Sequence, residues 1–504
     1  MGVLERDVLE VLSMVRSMKN TFAPISRVPQ EILSLIPDYC NPDGELVALT
    51  HVCRAWREQF ISRSSLWTTL QCTNVEQTRV YLERSGASPL DIWLYEKEHP
   101  RFLNDAFLLT IPHLDRLKSL ALCGSSNDAF QLTEYFSSPA PLLEDLELHF
   151  TCTETPVIRD AIFGGNLSSL RELRLSGVIT SLTWTNLSNL TTFALRQVPS
   201  DKISVTQLLN FFEHAPLLRK IQLWGAFPNS SNAPPGRIVP LPHLKFLTIV
   251  AQPAHTILLD HLSIPAGASL KQKFDFSDDK SPIPTYLPKT FTNLENLSHI
   301  TSVNLSLNSG VLLRLDGPSG TLYVYGNWVG GGACGPPAVG RRALRSLALL
   351  PISTMERLTI TRCNAAPPNK VEKSSVYTTL LLANNLRTLA LIDCFNLPII
   401  SALNPKQNRS RIAVCPELEE LVLYIQNKDF FCYKKLLEMV KERASSGVKL
   451  STITIVSSQE FVPAREVLKL RNHVLKVEYR LDDVEPELDA LPTDTDGTGY
   501  DSDW

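Results

Sequence analysis

The stretch PLLEDLELHF, residues 141–150, and the later SLRELRLSGV, residues 169–178, carry the same phrase twice: leucine, two residues, leucine, one residue, leucine. The last two leucines of each phrase stand two apart, so in an extended chain they share one face while the residue between them points to the other. A lone strand of this kind cannot cover its apolar face. Stacked copies can, and the spacing therefore predicts an array of parallel strands joined by crossovers.

Working outward, the phrase recurs as LKSLAL from Leu117, LEDLEL from Leu143, LRELRL from Leu170, LTTFAL from Leu190, LRKIQL from Leu218 and LKFLTI from Leu244. It resumes as ITSVNL from Ile300, MERLTI from Met355, LRTLAL from Leu386, LEELVL from Leu418 and LSTITI from Leu450. Successive starts are 26, 27, 20, 28 and 26 residues apart, then 56 and 55, then 31, 32 and 32. The two long intervals are about twice the short ones, so one degenerate unit is expected in each, near LKQKFDF from Leu270 and near TLYVY from Thr321. Between phrases, TQLLNFFEHAP (Thr206 to Pro216) and YKKLLEMVKER (Tyr433 to Arg443) have helical periodicity.

This pattern resembles the leucine-rich repeat, whose unit pairs one short strand with a helix or irregular crossover. Cys363 and Cys394, three beyond the last core residue of their phrases, stand at that family's Asn/Cys position. The resemblance implies an α/β fold over residues 76–480: an irregular leucine-rich-repeat horseshoe with parallel strands on the concave face and helices and loops on the convex face. Residues expected to face the concave side are Glu147 and His149, Arg174 and Ser176, Ala194 and Arg196, Gln222 and Trp224, Thr359 and Thr361, and Val422 and Tyr424. From these, Arg174, Arg196, Trp224 and Tyr424 are the candidates for holding a protein partner, since Arg and large aromatics concentrate at binding hot spots.

The N-terminal region obeys different rules. In RVPQEILSLIPDY, from Arg27, Pro29 fits a first helical turn and Glu31 complements the helix dipole, while Val28, Ile32 and Ile36 recur at spacings of four. After the turn-forming NPDG of Asn41 to Gly44, the residues Leu46, Leu49, Cys53, Trp56 and Phe60 form a second helical stripe, with a break near Thr50 left open. Pro37 is expected to end the first helix early. A unit this small buries only a thin core, so a neighbouring domain or a partner chain completes part of its apolar surface.

Val28, Pro29, Glu31 and Ile32, then Val52, Cys53, Arg54 and Trp56, then Leu66 and Trp67 make this region similar to the F-box, the module through which substrate receptors of cullin–RING ubiquitin ligases bind the adaptor Skp1. Val28 replaces the family's usual leucine. The resemblance implies that a Skp1-like adaptor, and through it a cullin, binds at Val28, Pro29, Ile32, Leu49, Val52, Cys53 and Trp56. The expected organisation is an N-terminal amphipathic helix at 1–22, the F-box at 23–75, the repeats at 76–480 and an acidic disordered tail at 481–504. Leu66, Trp67 and LDIWLY (Leu90 to Tyr95) are expected to be strand-like and to cap the open N-terminal edge of the array.

Residues 1–20 place Leu4, Val8, Val11, Val15 and Met18 on one helical face, a stripe expected to pack on the neighbouring domain, with dimerisation as the alternative. The tail from Leu481 holds nine acidic residues and no Lys or Arg. In it Thr493 and Thr498 have an acid three residues on and suit phosphorylation no better than chance; the tail could also lie across Arg174 and Arg196.

A net charge of −3 over 504 residues supplies no global attraction for nucleic acid, and no apolar run reaches the roughly 18 residues of a membrane span. Glu5, Arg6, Asp7, Glu10 and Arg16 interrupt what would be a signal peptide's apolar core, and Arg6 stands where a myristoylation motif wants Ser or Thr. The chain is therefore expected in the cytoplasm, the nucleus or both. Its ten cysteines form no C-x-x-C pair, its histidines no zinc pattern, and Asn166, Asn186 and Asn296 open Asn-x-Ser/Thr triplets by chance. The glycine cluster GNWVGGGACGPPAVG, Gly326 to Gly340, lacks the Gly-Lys-Ser/Thr of a phosphate loop, and there is no G-x-S-x-G elbow. No cofactor, metal or catalytic residue is expected. The reading is an adaptor that brings an unidentified protein substrate to a ubiquitin ligase; a repeat scaffold outside any ligase and an enzyme with a dispersed site are the alternatives.

Overall fold

The computed structural model describes residues 3–40, 45–72, 74–95, 103–125, 132–151, 155–158, 162–198, 202–225, 236–251, 258–276, 287–288, 290–307, 310–328, 347–361, 373–393, 397–407, 413–425, 431–457 and 464–481. The Asn41–Gly44 turn, Cys363, Cys394, most of the glycine cluster and the acidic tail with Thr493 and Thr498 lie outside the described residues. The chain divides into two compact units, Met1–Pro265 and Ala266–Trp504, so the repeat region expected as one stretch is shared between them.

The first unit begins with helices α1 (Val3–Thr21), α2 (Gln30–Leu33), α3 (Glu45–Leu49) and α4 (Arg54–Ser62). Strands β1 (Thr69–Leu70), β2 (Leu90–Tyr95), β3 (Leu117–Gly124), β4 (Asp145–Phe150), β5 (Glu172–Ser176), β6 (Thr192–Arg196), β7 (Lys220–Trp224) and β9 (Phe246–Ala251) follow. They pair in that order, every neighbour parallel. Short β8 (Val239–Pro240) and β10 (Leu262–Ser263) form a separate parallel pair. Helices α5 (Val75–Ser85), α6 (Leu103–Leu108) and α7 (Val205–Glu213) lie between strands.

Each phrase of this unit enters the ladder in one register. Leu146, Leu173, Phe193, Ile221 and Leu247 stand in one row, Leu148, Leu175, Leu195, Leu223 and Ile249 in the next, and all are buried. The expected helix at Thr206 is α7, opened by a capping box in which the Ser204 hydroxyl accepts from the Gln207 backbone N–H and Gln207 Oε1 accepts from the Ser204 N–H. Its Phe211 and Phe212 rings lie 4.4 and 6.2 Å from Phe193, which places the helix against the apolar face of the strands. Gly177 ends β5 at φ 64°, and a Cβ there would stand 1.8 Å from the Phe150 carbonyl oxygen, so this crossover requires glycine.

The second unit holds β11 (Ser269–Phe276), β12 (Ser302–Ser306), β13 (Gly310–Gly317), β14 (Gly320–Trp328), β15 (Arg357–Thr361), β16 (Thr388–Ile392), β17 (Glu420–Ile425), β18 (Thr452–Ser457) and β19 (Lys476–Leu481). Between them run α8 (Lys373–Leu382), α9 (Leu397–Leu403), α10 (Tyr433–Ser445) and α11 (Ala464–Arg471). From β12 through β15 to β19 the strands are again parallel and in register. Strands do stand near Leu270 and Thr321, but β14 is no repeat strand: it closes an antiparallel hairpin with β13, β13 pairs antiparallel with β12, and β14 pairs parallel with β11. The hairpin is inserted into an otherwise parallel ladder. In α10, Arg443 is fully buried, and its Nη1 and Nη2 donate at 2.8 Å to the carbonyls of Val414 and Cys415.

The joint between the N-terminal helices and the first strands turns on Trp67. Leu66 and Trp67 lie in a 3-10 turn, Ser64–Trp67, rather than in a strand; the edge strand is β1, just after it. The Trp67 ring is fully buried, its Nε1 donates to the Phe60 carbonyl at 2.9 Å, Tyr81 of α5 meets it edge-on at 5.0 Å, and the Arg84 guanidinium lies 4.3 Å from its centroid. One indole thus bonds α4 and packs on α5. Truncating Trp67 to Ala is expected to cost roughly 3–5 kcal/mol, seen as a lower denaturation midpoint and as new proteolytic cleavage between residues 68 and 90.

Candidate functional site

Two surfaces carry the residues singled out by sequence. The first is built by α2, α3 and α4. The Pro29 carbonyl accepts from the N–H groups of Ile32 and Leu33, both at 3.1 Å, so the helix starts where the proline predicts. It stops at Leu33, and Pro37 sits inside a 3-10 turn, Ile36–Tyr39. The second stripe does break at Thr50: its hydroxyl bonds back to the Val47 carbonyl at 2.7 Å, and Arg57 Nε caps its carbonyl at 2.9 Å.

The small core here is Leu33, Trp56 and Phe60, the two rings edge-to-face at 5.4 Å, with Val28, Ile36, Leu49, Cys53 and Leu66 packed partly buried around it. One expectation changes. Trp56, placed by resemblance on the adaptor-binding surface, is only 8% exposed and serves the interior. Ile32, placed by resemblance on the same surface, is 53% exposed, while its neighbour Leu33, which the sequence reading did not name, turns inward. Pro29, Ile32 and Val52 face solvent, Val28, Leu49 and Cys53 are half-buried, and Leu35, unnamed by the sequence reading, adds an exposed apolar side chain three residues after Ile32. That i, i+3 spacing was the available signal.

The second surface is the exposed face of the first unit's ladder. In register across it run Asp145, Glu172, Thr192 and Lys220; then Glu147, Arg174, Ala194 and Gln222; then His149, Ser176, Arg196 and Trp224. Arg174 does not offer a free cation. Its Nη1 lies 3.1 Å from the Asp145 carboxylate and 3.9 Å from that of Glu147, and its Nη2 bonds the Glu172 carboxylate. Three acids thus surround one guanidinium, and the patch around Arg174 is net acidic. Arg196 lies 4.3 Å over the Trp224 ring and donates to Gln222 Oε1 at 3.1 Å. Arg196 and Trp224 are therefore brought together; Arg174 is two strands from Trp224.

Ser176, Ala194 and Thr361, expected on the open face, are buried, and so is Tyr424, which is 3% exposed. In register, Ala194 stands between Arg174 and Gln222, and Ser176 between His149 and Arg196, so larger neighbours cover the smaller residues. Tyr424 stands between Ile392 and Val456, with apolar neighbours on both sides. Asp145 and Glu172 were missed. Carrying the period-2 alternation one step back from Glu147 and Arg174 would have found them. Among the described residues no group of His, Cys, Asp and Glu is placed to hold a metal ion, and no helix is long and apolar enough to cross a membrane.

Residues 25–73 match the family model described as F-box-like. No curated protein matches the chain. The N-terminal helical region is thus an F-box-like domain, followed by mostly parallel α/β units.

Burial pushes the Asp145 carboxyl up to about 6; Arg174 opposes this, and Glu172 and Glu147 reinforce it. Because the folded value lies above the ordinary one, the native state holds a proton that the unfolded chain has released between about pH 4 and pH 6. This carboxyl therefore lowers stability as pH rises through that window, with no further change above it. Asp145→Asn is expected to remove that component, seen as a shallower fall of the urea midpoint between pH 4 and 7.

Proposed function

We propose that this chain is a non-catalytic substrate receptor whose F-box-like domain docks on a Skp1-type adaptor, and through it a cullin, while its repeats hold a protein to be ubiquitinated. The observation that carries the reading is the match of residues 25–73 together with the apolar side chains that this small module leaves outside, Pro29, Ile32, Leu35 and Val52. Surface apolar groups of this kind cost solubility unless a partner covers them. The parallel, in-register strands support a leucine-rich-repeat character for the rest, with the exposed ladder face presented to the substrate. The chain's contribution is then proximity, raising the effective concentration of substrate lysines near an activated ubiquitin.

The charges refine the substrate. Asp91, Asp145, Glu147 and Glu172 lie on β2, β4 and β5 with Arg174 bridging three of them, whereas Arg196, Lys220 and Trp224 lie on β6 and β7. This arrangement favours a segment that brings basic residues to the β2–β5 side. It disfavours the chain's own acidic tail as an occupant of Arg174. A work site in the cytoplasm or nucleus follows from the adaptor.

Ile32→Asp with Val52→Asp is expected to abolish adaptor pull-down while changing stability by less than about 0.5 kcal/mol, because both residues are exposed. Trp56→Ala is expected to fail for a different reason, loss of the module's fold. A folded Ile32→Asp/Val52→Asp variant that still captured the adaptor would refute the assignment; loss of substrate on Glu147→Lys with Glu172→Lys, adaptor binding intact, would support the ladder face.

A further inference from the structure

Helix α1 was expected to lay its apolar stripe on the neighbouring domain, and it does not. Leu4, Val8, Val11, Val15 and Met18, with Phe22 just past the helix end, are all more than half exposed. The helix meets α4 through its opposite side, where the Ser13 hydroxyl accepts a hydrogen bond from Arg54 Nη2. The apolar stripe lies on the side of the helix away from this contact.

The stripe has the geometry of a seam. Residues 4, 8, 11, 15, 18 and 22 alternate spacings of four and three, the a and d positions of a heptad, and the exposed Leu12 and Met14 flank them at e and g. Ser13 falls at position f, farthest from that seam. The charges are divided: in the N-terminal half Glu5, Asp7 and Glu10 outweigh Arg6, and in the C-terminal half stand Arg16 and Lys19. From Val3 to Thr21 three acids and three bases cancel, which gives anionic lipid no electrostatic hold. An antiparallel second copy, by contrast, sets each acidic half beside a basic one, and a two-fold arrangement makes the surface its own complement.

We propose that α1 is a homodimerisation element in which two copies pair antiparallel along the Leu4–Phe22 seam. Leu4 then meets Phe22 of the second copy, Val8 meets Met18, and Val11 meets Val15, each layer occurring twice by symmetry. A helix of 19 residues is about 28 Å long, enough for these six layers. The dimer would join two receptors by their N-terminal helices while leaving Pro29, Ile32 and Val52 outside the seam. The inference does not depend on adaptor binding.

Sedimentation equilibrium of the full chain across micromolar concentrations tests it. The wild-type protein is expected to form a reversible dimer, and Val11→Asp with Val15→Asp to sediment as a monomer with an unchanged circular dichroism spectrum and unchanged adaptor pull-down. Arg16→Glu with Lys19→Glu is expected to weaken the dimer by about tenfold or more, because acid then faces acid. Mixing that variant with Asp7→Lys/Glu10→Lys is expected to restore association. A monomeric wild type, or a dimer that survives Val11→Asp/Val15→Asp, overturns the proposal; an undiminished Arg16→Glu/Lys19→Glu dimer overturns the antiparallel pairing.

Discussion

Everything after the N-terminal helices depends on one constraint: each strand carries two apolar residues on one face and cannot bury them alone. Stacking in register solves this for Leu146 against Leu173 and on to Phe193, Ile221 and Leu247, one row shared by successive strands. The helices then have a fixed surface to cover, as α7 does with Phe211 and Phe212 over Phe193. The same constraint leaves an edge wherever the ladder begins. In the first unit that edge is β1, and the Trp67 indole just before it bonds the F-box-like helices and packs on the α5 that follows. The F-box-like domain and the ladder therefore share one buried side chain, and the domain's own thin core does not have to stand alone.

Leucine spacing made the parallel strands and their register legible, because burial of one face specifies both. The antiparallel hairpin β13–β14 was not legible in the same way. Its ladder is closed by Gly317 to Gly320, where turn chemistry rather than a leucine phrase sets the pairing, and its strand residues Leu313, Leu315, Leu322 and Val324 read like any other apolar alternation. Glycine there is also steric: a Cβ on Gly317 would stand 1.8 Å from the His299 carbonyl oxygen. In the F-box-like domain, Pro29 marked where α2 starts, and the helix ends early, before Pro37, as expected. The inward residue, Leu33, was not named, since a helix of four residues followed by a 3-10 turn does not keep a 3.6-residue phase.

The exposed ladder face shows why single residues were a poor guide to its chemistry. Strands stand about 4.8 Å apart, so a side chain's neighbours are those in its row, contributed by sequence some 20–30 residues away. Arg174 looks in sequence like a cation for capturing an acidic partner. In its row and the one beside it, Asp145, Glu147 and Glu172 more than neutralise it, and its guanidinium becomes the bridge that lets three carboxylates share a small area. Even so, burial and the crowd of like charges outweigh that bridge at Asp145, whose carboxyl is held up at about 6. Arg196 answers to a different row and stacks on Trp224. The face is thus divided between an acidic side and a basic, aromatic side by the order in which the strands follow one another, and changing the length of one crossover would leave that division intact where changing the order of two strands would not.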